Sequence, residues 1–309
     1  MRAAVLRESP GWLEIGEVEV DAPAPHEVLV RTAAAGLCHS DLHFLEGKYP
    51  AAVPVIMGHE SAGVVEAVGS EVSYVSPGDH VITCLSVFCG QCEYCLSGRP
   101  FLCQASELRR GQGQNPRVSA GGQRVGQFAN LGSFAEQMLV HEHAVVKIPS
   151  DVPLDRAALV GCGVTTGLGA VLNTAAVEAG SSVAVIGCGG IGLNCIQGAA
   201  LAGAARIIAV DLLDTKLKMA LEFGATDTVN GSDGNAVGQV AELTGGGVDY
   251  AFEAIGLARA AEQAWEMVKR GGTATVIGMI PPGELVNIPG VGFLGGKRIQ
   301  GSVMGSNRF

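Results

Sequence analysis

The sequence predicts an α/β chain in which a folded-over β domain precedes a doubly wound, six-stranded parallel sheet. Its 309 residues are enough for about two domains, each with its own core. The first half reads as short β-branched runs separated by Gly, Pro and Asp. From residue 182 onward, strand-like and helix-like segments alternate, which is typical of a parallel sheet covered on both faces. We therefore predict one domain at 1–160 and a second at 161–303.

Composition and charge exclude several classes of protein. Hydrophobic residues make up 48% of the chain, which argues against disorder. The net charge is −10 with no Lys/Arg cluster, so we expect no nucleic-acid partner. No apolar run approaches the ~18 residues of a membrane span, and Glu8 and Pro10 interrupt any signal-peptide core, so we expect a cytoplasmic protein without a membrane partner. Nine cysteines in such a chain indicate metal binding or catalysis.

The first half is expected to hold strands at 18–20, 27–33, 62–68 and 80–84, then a strand within 131–140 and a helix near 152–159. The polar, Gly-rich segment 109–124 lacks periodicity and is expected to be a surface loop.

A glycine-rich turn in the second half predicts a dinucleotide site. It lies between a strand at 182–186 and a helix at 193–202, and the next strand, 206–211, ends in an acidic residue. Glycines there let the backbone approach a pyrophosphate, whose charge the helix N-terminus favours. The predicted cofactor residues are Gly187, Gly189, Gly190, Gly192 and, for the ribose hydroxyls, Asp211. A flavodoxin-like or other phosphate site is the open alternative. Runs at 226–229, 249–254, 273–278 and 298–303 complete six strands.

Four cysteines in the segment 89–103 predict a structural zinc site. Three of them are spaced at two-residue intervals and a fourth follows shortly, so the thiolates can surround one ion tetrahedrally: Cys89, Cys92, Cys95 and Cys103. Disulfides and an iron–sulfur cluster are the alternatives. This lobe has too little apolar content of its own to fold without metal.

A second set of metal-type side chains is dispersed along the chain. Cys38 and His59 are candidate ligands of a catalytic zinc, and Cys162, between two glycines, completes the three protein ligands that such a site takes. Asp41 is of the type that orients a ligating imidazole, and Ser40 with His43 could pass a proton away from the site. On this stretch alone, a buried Cys among surface histidines is the competing interpretation. The other cysteines are expected to be packing residues: Cys84, Cys188 and Cys195.

The whole sequence, from Met1 to its end, resembles the zinc-dependent medium-chain alcohol dehydrogenases. The resemblance rests on Gly58-His59-Glu60, on the four-cysteine segment, and on 187–192 with Asp211. It implies a GroES-like catalytic domain, a Rossmann domain, and a catalytic zinc held by Cys38, His59 and Cys162.

The resemblance also assigns further roles. It places Glu60 beside the metal and makes Ser40 and His43 the proton relay. It places His39 near the cofactor pyrophosphate and Lys216 near the adenosine ribose. Leu85 and Phe134 match positions that line the substrate pocket.

We therefore expect an NAD-dependent enzyme with two zinc ions per chain that interconverts a primary or secondary alcohol with its carbonyl product, as a dimer or tetramer. A thiol-adduct-dependent formaldehyde dehydrogenase of the same family is one alternative, and an inactive cofactor-binding protein is another. Family members continue beyond the sixth strand to complete the catalytic domain. The sequence is accordingly expected to be a C-terminally truncated member, with 304–309 as the start of that return.

Overall fold

The computed structural model describes residues 1–111 and 113–309, without the side chain of Glu107. The chain forms two compact units, Met1–Gly163 with Arg308–Phe309, and Val164–Asn307. This division falls after Gly163, three residues past the predicted boundary. Gly161 packs closely against β7, since a Cβ on it would lie 2.1 Å from the carbonyl oxygen of Thr83. Residues 304–307 belong to the second unit, where Gly305 packs its backbone against Gly169, and Arg308–Phe309 belong to the first.

The described part of the first unit is mainly antiparallel β structure, as predicted. Its largest sheet has the order β11-β4-β6-β7-β12, a second has the order β10-β5-β1-β2, and β3, β8 and β9 form a third. The strands are β1 (Arg2–Leu6), β2 (Leu13–Glu17), β3 (Glu19–Val20), β4 (Glu27–Ala35), β5 (Val55–Ile56), β6 (Ser61–Val68), β7 (His80–Thr83), β8 (Val118–Ala120), β9 (Gln123–Arg124), β10 (Gly126–Gln127), β11 (Gln137–His141) and β12 (Val145–Lys147). The helices are α1 (His39–Leu45), α2 (Glu93–Leu96) and α3 (Leu154–Ala157).

Three predictions for the first unit need correction. Within 131–140 only the second part is strand, because Gly132 has a φ of +63° and breaks the extended run. The helix predicted near 152–159 is α3 followed by a 3₁₀ turn, Ala158–Gly161. Segment 109–124 is not simply a surface loop. It contributes β8 and β9, and its Arg117 is 8% exposed because the guanidinium pairs with the buried Glu27.

The second unit, all of whose residues are described, confirms the predicted doubly wound fold. Its six strands are all parallel and lie in the order β15-β14-β13-β16-β17-β18. They are β13 (Ser182–Ile186), β14 (Arg206–Asp211), β15 (Asp227–Asn230), β16 (Val248–Glu253), β17 (Val268–Val276) and β18 (Arg298–Gly301). The helices are α4 (Gly163–Gly169), α5 (Gly190–Leu201), α6 (Asp214–Glu222), α7 (Ala236–Thr244) and α8 (Ala258–Met267). The strand order reverses between β13 and β16.

Both faces of this sheet are buried, which explains its apolar strands. In β13, Val183 and Val185 belong to one hydrophobic cluster, whereas Ala184 and Ile186 belong to the cluster on the opposite face. A strand buried on both sides carries no polar alternation, so β13 reads as a continuous apolar run. Among the described residues no single helix is long and apolar enough to cross a membrane. Only the bent pair Leu154–Gly161 and Gly163–Thr174 has the length and apolar composition of a membrane span.

Candidate active site and metal centres

Pairing between β4 and β6 brings the first metal-type side chains together. Ala35 at the end of β4 pairs with Ser61 at the start of β6, and the Gly36 amide donates to the Glu60 carbonyl at 2.7 Å. The residues that follow β4 therefore lie beside those that precede β6. Cys38, the N-cap residue of α1, thus reaches His59 and Glu60 although about twenty residues separate them in sequence.

Cys162 joins this group because of the glycine before it. A Cβ at Gly161 would overlap the Thr83 carbonyl, so only glycine lets the turn after α3 lie against the end of β7. The ligand atoms of the resulting cluster all lie within 4.8 Å of one another, and its members are Cys38, His59, Glu60 and Cys162. Zinc binds thiolate, imidazole and carboxylate at about 2.0–2.3 Å, so this donor set fits one zinc ion.

Asp41 orients the buried imidazole. Its Oδ1 lies 3.2 Å from His59 Nδ1 and also accepts the Gly58 amide at 3.1 Å. Its Oδ2 accepts the amide of Cys38 at 3.2 Å. A carboxylate at Nδ1 fixes the tautomer that leaves Nε2 free for a metal. The Asp41 carboxylate therefore positions the imidazole ring of His59 and the backbone amide of Cys38.

The electrostatics of the cluster favour a cation. A hydrogen bond with Cys162 lowers the pKa of Cys38 to about 3, and the same contact raises the pKa of Cys162. Burial opposes the charged form of His59, but hydrogen bonds to Asp41 and Cys38 outweigh it and raise its pKa to about 10. Burial raises the pKa of Glu60 to about 7. The raised pKa values leave His59 and Cys162 protonated without a metal, and metal binding would release those protons.

Helix α1 carries the two predicted relay residues on one face, since they are three residues apart. Ser40 Oγ lies 3.5 Å from Cys38 Sγ. His43 is 7% exposed, and its Nδ1 has no hydrogen-bond partner among the described residues. Burial, with the charge of His39, lowers the pKa of His43. The ring of His39 meets that of His43 edge-on at 4.8 Å.

The four cysteines at 89–103 converge as predicted from their spacing. Cys92 is the N-cap residue of α2, and a 3₁₀ turn at Pro100–Leu102 returns the chain to Cys103. The Sγ–Sγ distances are 3.5 Å for Cys92–Cys95, 3.8 Å for Cys92–Cys103 and 3.9 Å for Cys89–Cys95. Four thiolates at about 2.3 Å from a tetrahedral zinc lie about 3.8 Å apart, so the set fits one ion. The same distances are well above the ~2.05 Å of a disulfide bond, and all four residues are free cysteines in this arrangement.

The glycine-rich turn lies where the dinucleotide prediction requires. It follows β13 at the strand-order reversal and leads into α5. Gly187 has a φ of +92°, and a Cβ on Gly192 would lie 1.7 Å from the Gly187 carbonyl oxygen. A Cβ on Gly189 or Gly190 would meet nothing within 4 Å. Two glycines therefore shape the turn, and the other two leave open space at a helix N-terminus, which fits a pyrophosphate.

Asp211 ends β14 beside this turn and makes backbone contacts that the sequence did not reveal. Its carboxylate accepts the Cys188 amide at 2.8 Å, and also the amides of Leu212 at 2.8 Å and Leu213 at 3.1 Å. Lys216 Nζ lies 4.0 Å from its Oδ2. The carboxylate thus ties the glycine turn to the end of β14.

The two predicted pocket residues lie in different apolar clusters. Leu85 packs against the cluster of Val28 and Met138, and Phe134 against that of Leu6 and Met57. An aromatic residue that the sequence reasoning missed, Phe128, meets the His59 ring at 5.5 Å. No motif marks Phe128, because only the tertiary fold brings it to the cluster.

The comparisons with known proteins agree with this geometry. Residues 24–150 match the alcohol dehydrogenase GroES-like domain, and residues 190–309 match the zinc-binding dehydrogenase family. The chain is 39% identical over 315 residues to S-(hydroxymethyl)glutathione dehydrogenase of Saccharomyces cerevisiae, covering 98% of this chain and 82% of the relative. It is 42% identical over 313 residues to the NDMA-dependent alcohol dehydrogenase of Amycolatopsis methanolica, covering 99% and 84%.

Solved structures show the same likeness. An alcohol dehydrogenase zinc-binding domain protein from Burkholderia ambifaria superposes with a TM-score of 0.93 at 38% identity, over 99% of this chain and 84% of the other. Both halves of the chain, its fold and its metal-type clusters therefore point to one family. The chain belongs to the zinc-dependent medium-chain alcohol dehydrogenases.

Proposed function

We propose that the protein is an NAD-dependent dehydrogenase that reversibly oxidises a primary or secondary alcohol. One observation carries the proposal, the convergence of Cys38, His59, Glu60 and Cys162 within 4.8 Å. A bound zinc would supply a Lewis acid that lowers the pKa of the alcohol hydroxyl. Cys38, His59 and Cys162 would hold it, while Glu60 stands beside them as a further donor. The cysteines at 89–103 would hold a second, structural zinc.

The proton has a route through α1. Ser40 lies against the cluster, and His43, one turn further, has a free ring nitrogen. Burial lowers the pKa of His43, which favours its neutral form and leaves Nδ1 available to accept a proton. Ser40 and His43 then carry the proton away from the substrate hydroxyl.

NAD would supply the hydride acceptor. The open space at Gly189 and Gly190 would receive its pyrophosphate. The Asp211 carboxylate would accept hydrogen bonds from its adenosine ribose. Leu212 and Leu213 follow Asp211, and no Arg stands there to meet a 2′-phosphate. A carboxylate disfavours that phosphate, so NAD is preferred over NADP. Lys216 and His39 are proposed to assist the ribose and the pyrophosphate.

A thiol-adduct-dependent formaldehyde dehydrogenase is the second candidate, and two observations favour it. One relative is named S-(hydroxymethyl)glutathione dehydrogenase. The first unit also has a cavity of about 370 Å³ lined by Arg109, Arg110, Arg117 and Arg124. Carboxylates neutralise two of these, since Arg110 pairs with Asp21 and Glu27, and Arg117 pairs with Glu27. The remaining positive charge suits an anionic substrate.

The deciding experiment measures zinc content and NADH formation. Purified protein should contain two zinc ions per chain and produce NADH from a panel of primary and secondary alcohols. Formaldehyde oxidation that appears only with glutathione or mycothiol would select the second candidate. Protein that holds both zinc ions and NAD but turns over none of these substrates would refute both and leave a non-catalytic cofactor-binding protein.

We propose a homo-oligomer, a dimer or tetramer, because β18 ends the sheet and apolar side chains lie exposed just before it. Val291 is 73% exposed and Leu294 86%. Such an edge is suited to pairing with a second copy. Sedimentation analysis of the purified protein tests the oligomer, and a monomer at micromolar concentration would refute it.

A cytoplasmic location is part of the same proposal. All nine cysteines are free, which fits the reducing cytoplasm.

A further inference from the structure

A buried carboxylate at the carboxyl edge of the parallel sheet has no role in the function proposed above. Glu253 is the last residue of β16 and is 0% exposed. Its Oε1 accepts the amides of Ile255 at 2.8 Å and Gly256 at 2.6 Å, and its Oε2 accepts the amide of Gly278 at 3.1 Å. One side chain therefore connects the loop after β16 to the loop after β17.

These two loops are in direct backbone contact. A Cβ on Gly278 would lie 2.0 Å from the Gly256 nitrogen, and a Cβ on Gly256 would lie 2.7 Å from the Met279 carbonyl oxygen. Ile255 also covers the glycine turn, since a Cβ on Gly187 would lie 2.5 Å from its Cγ1. The bonds of Glu253 thus fix the backbone that borders the glycine turn on its β16 side.

The position matters because cofactors bind outside the carboxyl ends of the strands, where the strand order reverses. Here that point lies between β13 and β16. The turn after β13 and Asp211 on β14 serve the adenosine half of a dinucleotide, which leaves the loops after β16 and β17 for the other half. The three amides all donate, and an ionised carboxylate accepts at both oxygens. Glutamine would turn an NH₂ group toward one of the amides.

We propose that Glu253 is a positioning residue for the nicotinamide half of the cofactor. It holds the loops after β16 and β17 in the arrangement that receives this half, and it touches neither cofactor nor substrate. When the loops lose this arrangement, the binding-competent fraction falls and the apparent Kd rises in proportion. The inference rests on the proposed NAD function.

The test compares E253Q with D249N. Asp249 lies on the same strand, at its amino end, where it accepts the amide of Ser182 at 3.0 Å and pairs with Lys269 at 2.8 Å. Kd values of both variants and of the wild type are measured by calorimetry for NAD and for AMP, which lacks the nicotinamide half. We expect E253Q to raise the Kd for NAD roughly ten-fold and to leave the Kd for AMP unchanged. D249N should change neither.

Each outcome is informative. An unchanged Kd for NAD in E253Q, or an equal loss for NAD and AMP, overturns the inference. A wild-type protein that binds no NAD refutes the proposed function instead. If E253Q does not fold, hydrogen exchange on the wild type decides. The amides of Ile255, Gly256 and Gly278 should exchange as slowly as strand amides although they lie in loops, and exchange at loop rates overturns the proposal.

Discussion

Alanine substitutions in the glycine turn after β13 should have two different effects. Some should lower thermal stability, and others should lower the affinity for NAD. At Gly192 the added Cβ would lie 1.7 Å from a backbone carbonyl oxygen, well short of the 3.0 Å that real Cβ contacts keep. Such overpacking costs about 1–3 kcal/mol or more, and alanine returns up to about 1 kcal/mol of helix propensity. A net loss of about 2 kcal/mol lowers Tm by roughly 4–8 °C in a domain of this size.

Gly190→Ala should behave in the opposite way. Its Cβ meets nothing within 4 Å, and the residue is the first of α5, so we expect an unchanged or slightly higher Tm. The methyl group instead occupies space that the pyrophosphate needs. The loss of one hydrogen bond to a charged group is about 1.5–3 kcal/mol, which raises the Kd for NAD roughly ten-fold to a hundred-fold.

Thermal unfolding and calorimetric NAD titration of each variant check these expectations. Gly290→Ala is the matched control, because Gly290 is also exposed, begins a helical turn and has open space around its Cβ. It should change neither quantity. The reasoning is refuted if Gly190→Ala binds NAD as tightly as the wild type, or if Gly192→Ala unfolds at the wild-type temperature.

Three further predictions concern the two cysteine-containing clusters, the buried ion pairs of Glu27 and the carboxylate of Asp211. Metal analysis of Cys92→Ser should show loss of one zinc and lower stability, whereas Cys38→Ser should lose turnover and keep the structural zinc; loss of both ions in Cys38→Ser would contradict two separate sites. Burial alone would raise the pKa of Glu27, but hydrogen bonds from Arg110 and Arg117 outweigh burial, and the net pKa is lowered. The contribution of Glu27 to the free energy of unfolding is therefore present above pH 4.5 and is lost as pH falls through the lowered pKa. Glu27→Gln should cost about 3–5 kcal/mol at pH 7 by urea unfolding and should abolish that acid dependence, and an equal acid slope in both proteins would refute the assignment. Asp211→Asn should raise the ratio of kcat/KM for NADP to that for NAD by at least roughly ten-fold, and an unchanged ratio would exclude Asp211 as the determinant.

Residues that act through short-range patterns were predictable. The strand 182–186 and the strand ending at Asp211 have the predicted bounds, because a sheet buried on both faces leaves continuous apolar runs. The convergence of the four cysteines at 89–103 was predictable from their spacing, because they lie within one short segment of the chain. Helix α1 was not predicted, because its seven residues are too few to show a periodic pattern.

Residues that act across the fold could not be found in this way. Glu27, in β4, accepts bonds from Arg110 and Arg117, about ninety residues away, so the sequence shows only an acidic strand residue and a polar segment. Phe128 reaches His59 only through the tertiary fold. Glu253 looks like the end of an ordinary strand until the loops after β16 and β17 are seen to converge on it.

The two metal-type clusters differ in the length of the loop between their first and last cysteines, and this loop length determines when each cluster can form. Cys89 and Cys103 are 14 positions apart, whereas about 124 separate Cys38 from Cys162. The chain entropy of closing the longer loop is greater by about 2 kcal/mol. During synthesis from the N-terminus, the four thiols at 89–103 can close around an ion soon after they leave the ribosome. The other cluster has no complete donor set until Cys162 has been made and the turn at Gly161 has reached β7.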